Sequence, residues 1–207
     1  VFKTRDAALE RAATRMVREA GARVATNVFL RDLNVEGVPA RDRRNLESVA
    51  SRLPLFRGMQ FAIDTTLVSP VNGNGQAHPR CVDNDGAWLQ EARRRKERTY
   101  PELLNGSRCK LVVLALEVGG RWSTEAVNFV RLLAGTKARE APELLRKSAQ
   151  AAWQSRWSTM LAVAVQRAFA ASLLELPPCG RAVLDGDSPE LRDIIVDGRW
   201  RESSPTA

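Results

Sequence analysis

Three residues have types and spacing that can do chemistry together: Glu47, Asp64 and Lys96. Asp64 is the one charge in the run MQFAIDTTLVSP, residues 59–70. Phe61, Ile63, Thr65 and Leu67 alternate there with Gln60, Ala62, Asp64 and Thr66, which predicts a strand with Asp64 on one defined face. A carboxylate among apolar residues is costly unless it is paired or binds a cation; an aspartate at a strand end bonded to a loop is the plainer reading. Glu47 is the one charge in NLESVAS, residues 45–51, a second short strand. Two carboxylates on adjacent strands can converge on Mg²⁺, which takes oxygen ligands and keeps several waters, so two carboxylates and a substrate phosphate suffice. Such an ion polarises a phosphodiester and lowers the pKa of water. Lys96 lies on a basic helix after the Asp64 strand, and from there it can stabilise negative charge developing on phosphorus. It also sits among Arg93, Arg94, Arg95 and Arg98, so on spacing alone it reads equally as a surface charge.

The elements that would carry these residues follow from periodicity. Residues 6–20 place Leu9, Ala13, Met16, Val17 and Ala20 on one helical face, with Gly21 as terminator. Residues 22–30 and 45–51 read as strands, the second forming a hairpin-like pair with the Asp64 strand. Residues 34–43 are a charged connector, and 72–86 a loop in which His78 is expected to be solvated. AWLQEARRRKER, residues 87–98, is a helix, and RCKLVVLALEV, residues 108–118, is the most apolar strand and is expected at the centre of the sheet. Ser123 can cap the helix after it. Residues 142–175 are helical, with Trp153 and Trp157 one turn apart on an apolar face and expected in the core. The order α, β, β, β, α, β, then helices predicts an α/β (α+β) fold, a small mixed sheet flanked by helices with a C-terminal helical extension. The expected division is a core over 6–135, packing helices over 136–176 and a tail over 177–207.

Composition narrows the partner. Hydrophobic content of 44% suits a globular chain, and a net charge of +8 with a pI near 10.2 favours an acidic partner, DNA or RNA before an anionic membrane. Arg11, Arg15 and Arg18 on the first helix and Arg93, Arg94 and Arg95 on the second are the candidate phosphate contacts; a solvated basic face is the alternative. One histidine and three cysteines without a CxxC pair argue against a zinc site, and the odd cysteine count suggests a reducing compartment. No apolar run reaches the length of a membrane span, and no secretory signal is visible. The chain begins at Val1, which suggests a fragment of a longer protein.

RRNLESVA, LPLFRGMQFAIDTTLVSP, LQEARRRKERTYPEL and LVVLALEVGGRW resemble the C-terminal region of reverse-transcriptase polyproteins of non-LTR-type retroelements, most like retroelement-derived copies in dinoflagellates, and the resemblance covers roughly residues 6–175. That region is similar to a restriction-endonuclease-like domain of the PD-(D/E)xK type. The resemblance implies that Glu47 and Asp64 are the two metal-binding acids, that Lys96 is the lysine displaced from strand to helix, and that Tyr100, Gly120 and Trp122 match later signature positions. It implies Mg²⁺-dependent nicking of target DNA, with upstream reverse-transcriptase domains as partners, in the nucleus or cytoplasm. A module with the same fold that binds DNA or RNA without cleaving it is the alternative. Glu117, at the end of the most apolar strand, is a candidate third ligand or a plain strand-end carboxylate. Glu10 or Glu19 could serve as an auxiliary acid.

Overall fold

The computed structural model describes residues 7–104 and 106–173. Helix α1 (Ala7–Glu19) leads into strands β1 (Arg23–Phe29), β2 (Asn45–Ser51) and β3 (Gln60–Val68). Helix α2 (Ala87–Thr99) follows, then β4 (Cys109–Glu117), α3 (Thr124–Ala138) and α4 (Arg146–Leu173). The four strands form one mixed sheet in the order β1-β2-β3-β4. β1–β2 and β2–β3 are antiparallel and β3–β4 is parallel. The fold is thus the α+β arrangement expected: a small mixed sheet with helices on both faces and a C-terminal helix.

The sheet separates two cores. On one face, Phe61, Ile63, Val112, Leu114 and Leu116 pack with residues of α1, α3 and α4. Phe61 meets both Phe56 and Phe129 edge-on, at ring separations of 5.5 and 5.6 Å. On the other face, Ala62, Leu111, Val113 and Ala115 pack with Leu89, Ala92 and Tyr100 of the α2 region. Alternation along β3 therefore assigns Phe61 and Ile63 to the three-helix side, and Ala62 and Asp64 to the α2 side.

β4 is an edge strand in the sheet order, where the sequence predicts the central one. Its residues are buried except Lys110 because helices cover both faces and its one sheet partner is parallel. A continuous apolar run reports two covered faces, which an edge strand can also have. The chain leaves β4 through a turn with Gly120 at φ +90, and Ser123 caps α3 by accepting from the amide of Ala126 at 3.2 Å.

α4 is one helix of 28 residues, preceded by a short turn at Glu143–Leu145. Trp153 and Trp157 are buried, 5.2 Å apart, as their apolar face predicts. The same core holds α4 and the sheet, so α4 packs as part of this unit. The tail expected over 177–207, and Cys179 in it, lie outside the described residues; Cys81 and Cys109 are free thiols. Among the described residues no helix is long and apolar enough to cross a membrane.

Glu19 joins α1 to α4. Its buried carboxylate accepts from Arg156 Nε and Nη2 at 3.0 and 2.8 Å, from Trp157 Nε1 at 2.9 Å and from Arg15 Nε at 3.0 Å. Burial pushes its pKa up, but the bonds and charge of Arg156, with Trp157 and Arg15, outweigh burial and hold it below 4.5. Glu19 is thereby fully engaged as a structural anion, which removes it as an auxiliary metal-binding acid. Glu19→Ala leaves the Trp157 N–H and Arg156 without their partner and is expected to cost about 2–4 kcal/mol in urea unfolding at pH 7. A folded-state pKa below the unfolded value makes this contribution present above about pH 4.5 and lost as pH falls. The gap between wild type and Glu19→Ala should therefore shrink in acid; a gap that grows there contradicts the assignment.

Candidate active site

Register brings the two acids together. β2 and β3 pair Ala50 with Phe61, Val49 with Ala62 and Ser48 with Ile63. One further step sets Glu47 across from Asp64, and directly opposed residues of an antiparallel pair share a face. The ladder opens there on both sides of β2. Across β1 the residue in register with Glu47 is Asn27, whose backbone is left-handed at φ 54, between the pairs Thr26–Ser48 and Val28–Leu46. Across β3 the amide of Thr65 donates to Glu47 Oε2 at 2.7 Å, and the Thr65 hydroxyl donates to the same oxygen at 2.7 Å. A local break in pairing of this kind re-aims a side chain, and here it lets the Glu47 carboxyl fold onto the end of β3 beside Asp64.

α2 supplies the cation. Lys96 Nζ lies 2.5 Å from Asp64 Oδ1. Asp64 is 1% exposed, while the Lys96 side chain is 26% exposed, so the pair sits at the mouth of the α2-side core. Lys96 is thus the charge partner of this buried oxygen, and a carboxylate oxygen has a second lone pair beyond the one that faces the ammonium. Tyr100, four residues after Lys96, is buried and donates its hydroxyl to the carbonyl of Asn45 at 2.7 Å.

The electrostatics follow from two carboxyls in one dry corner. Burial first, and the Asp64 charge second, push Glu47 up to about 8, against the opposing bonds of Thr65 and the charge of Lys96. Burial also raises Asp64, opposed by Lys96 and by a hydrogen bond from Glu47. Two like charges this close do not both ionise readily, so near neutral pH the pair tends to hold one proton between them. Burial and the charges of Asp64 and Glu47 push Tyr100 up to about 12, which keeps it a neutral donor at physiological pH.

These residues suit a small hard cation. Both are oxygen donors, Asp64 Oδ1 already faces a cation in Lys96, and the Lys96 side chain is partly exposed to solvent. Among the described residues no group of three or more His, Cys, Asp or Glu side chains is positioned to hold a metal ion. Glu117 lies in register with Val68, four residues beyond Val113, which pairs with Asp64. That separation is about 13 Å along the strand at ~3.3 Å per residue, so Glu117 does not join the pair; it faces Arg121 at 3.9 Å.

The six arginines divide between opposite sides of the sheet. α1 packs on the three-helix face, so Arg11, Arg15 and Arg18 do not border Asp64, and Arg15 is held by Glu19. Of the α2 set, Arg93 bridges Glu97 at 2.9 Å and Glu125 at 3.0 Å, tying α2 to the first turn of α3. The Arg95 guanidinium lies 4.9 Å from the ring centroid of Trp88. His78 stacks on that ring at 4.0 Å and is half-buried rather than solvated, since the loop before α2 folds back over it. Arg94 is exposed on α2. Thr65 is the site residue that sequence reasoning passed over; its signal is the threonine directly after Asp64, in reach of a side chain across a broken ladder.

Compared with known proteins, the chain matches no family model and no curated protein.

A carboxyl whose folded-state pKa is raised favours the protonated form, so its contribution to stability is fullest below about 4.5 and is lost as pH rises towards 8. Gln at position 47 keeps an oxygen for the Thr65 donors and carries no charge. Without added metal, Glu47→Gln is expected to be more stable than wild type at pH 8 by on the order of 1–2 kcal/mol, and near wild type at pH 5. A pH-independent difference in thermal unfolding between the two contradicts this electrostatic picture.

Proposed function

We propose that this chain is a restriction-endonuclease-like domain of a retroelement reverse-transcriptase polyprotein and that it nicks DNA with Mg²⁺. The observation that carries the reading is the register. It sets Glu47 across from Asp64 on one sheet face and α2 delivers Lys96 to 2.5 Å from Asp64. These are the residues that the resemblance assigns to the two acids and the displaced lysine.

In this reading Glu47 and Asp64 hold the cation. When bound there, a divalent cation would supply polarisation of the phosphodiester and a more acidic water at neutral pH. Lys96, whose ammonium lies beside Asp64, would stabilise the charge developing on the phosphoryl oxygens. Thr65 keeps the Glu47 carboxyl aimed at Asp64 through its two donors. Because Glu47 must give up its proton for cation binding, affinity for Mg²⁺ rises with pH through the range below 8. The net charge of +8 suits a polyanionic substrate, and nuclear or cytoplasmic residence with upstream reverse-transcriptase domains as partners follows from the same reading.

A plasmid-nicking assay tests it. Wild type is expected to nick in Mg²⁺ and not in chelator. Asp64→Asn is expected to lose roughly hundredfold or more, about 2.7 kcal/mol of barrier, with DNA binding held or strengthened because a repelling charge is gone. Equal nicking by the variant sinks the assignment. Salt-sensitive binding without nicking by wild type selects the non-cleaving nucleic-acid-binding module instead. The binding side has its own test in the faces of the sheet. Arg94→Gln is expected to flatten the log–log salt dependence by about 0.9, whereas Arg11→Gln, on the far face, leaves the slope unchanged. Equal effects of the two substitutions contradict a DNA path on the α2 side.

A further inference from the structure

The chain just before and at the start of β2 carries a dense polar network, and Arg44 is its centre. Its Nη2 bonds Asp42 Oδ2 at 2.6 Å and Glu102 Oε1 at 2.5 Å, and its Nε bonds Asp42 Oδ2 at 2.9 Å. Its Nη1 donates to Glu102 Oε2 at 3.0 Å and to the Thr99 carbonyl at 2.5 Å. Asp42 is itself fixed by accepting from the Arg44 amide at 2.7 Å and, through its carbonyl, from Arg31 at 3.2 Å. The guanidinium is thus a planar fork between two carboxylates and a main-chain oxygen, an arrangement that a lysine cannot reproduce.

The ends of this network matter. Thr99 closes α2, and Glu102 lies in the short helical turn Pro101–Leu103 that follows. The neighbouring residue Asn45 receives the Tyr100 hydroxyl. The C-terminal end of α2 is therefore fastened at Thr99, Tyr100 and Glu102 to residues 44 and 45, three and two positions before Glu47. Lys96 is one turn back, its carbonyl accepting the Tyr100 amide at 2.9 Å. Leu89, Ala92 and Tyr100 turn one face of α2, with Lys96 on it, towards the sheet, and the fastening holds the C-terminal end of that face, where Arg93 to Lys96 are four consecutive cations, in one place.

We propose that Arg44 is a positioning residue, a latch that sets the rotation and height of α2 on the sheet so that Lys96, and none of its arginine neighbours, meets Asp64. It rests on the reading of Glu47, Asp64 and Lys96 as the working centre, but its geometry is separately measurable. Arg44 touches neither carboxylate of the pair; it acts through α2.

The test pairs a structural readout with a kinetic one on wild type, Arg44→Gln and Arg44→Lys. The chain has five lysines. In nitrogen-detected lysine spectra, wild type is expected to show a slowly exchanging Lys96 ammonium, assigned by its loss in Lys96→Arg. Arg44→Gln is expected to lose that signal with the core methyl spectrum unchanged, and Arg44→Lys to weaken it. In single-turnover nicking, Arg44→Gln is expected to fall at least tenfold with DNA Kd within twofold of wild type, and Arg44→Lys to recover part of the loss. A residue serving stability alone would lower Tm and leave both readouts of the folded protein in place. Persistence of the ammonium signal in Arg44→Gln, or a wild-type single-turnover rate, overturns the latch. Absence of nicking by wild type counts against the nuclease reading, and the ammonium signal then decides the latch by itself.

Discussion

Two carboxyls confined to one dry corner of a small sheet are the constraint on which the rest of the site depends. Each buried charge is expensive alone, and two of one sign are more so. The surroundings answer that cost with one lysine from α2 and two donors from Thr65, and burial pushes both carboxyls towards the protonated form. The lysine and the donors both depend on what surrounds the strand that carries Asp64, although Thr65 itself lies on it. The Thr65 amide is available because the ladder opens at Glu47, and Lys96 arrives from a helix entered through a loop of more than a dozen residues. The pair lies between α2 and the sheet, where the Lys96 side chain is partly exposed, and on that placement the proposed cation site rests.

The two faces of the sheet have different work. The three-helix face is where stability is concentrated, in the phenylalanine trio around Phe61, the Trp153–Trp157 pair and the Glu19 node between α1 and α4. The α2 face is thinner, covered by one helix of strongly basic sequence, and it carries the polar residues. This separation explains how a chain rich in arginine can have some of its arginines serve packing. Arg156, Arg15 and Arg93 are held by carboxylates, while Arg94 stays exposed on the α2 side.

The order of elements was legible in the sequence because periodicity is local: the alternation around Asp64, the apolar face of α1 and the tryptophan spacing in α4 each report their own surroundings. Pairing Glu47 with Asp64 was legible for the same reason, since two short strands joined by a tight connection leave few registers. What escaped was non-local. The hydrophobicity of β4 reports two covered faces and cannot say that the strand lies at the edge. The placement of α1 and α2 on opposite faces, which divides the arginines, depends on how the chain crosses the sheet. His78 looked solvated from its loop and is instead stacked on Trp88, a contact made by a loop that folds back. Arg44, in a run of charges, carries no sequence signal that sets it apart from Arg41 or Arg43; its role appears only when Thr99 and Glu102 are seen beside it.

The central claim is that Glu47 and Asp64 together form one divalent-cation site. Its most direct test is a crystal soaked in Mn²⁺ with anomalous diffraction measured at the manganese edge. The account predicts a single strong peak between the two side chains, within about 2.1–2.2 Å of an oxygen from each, as small divalent cations require, with the Lys96 ammonium displaced from Asp64. A site that stays without anomalous signal at saturating Mn²⁺ above pH 8, with the Lys96–Asp64 pair intact, contradicts it.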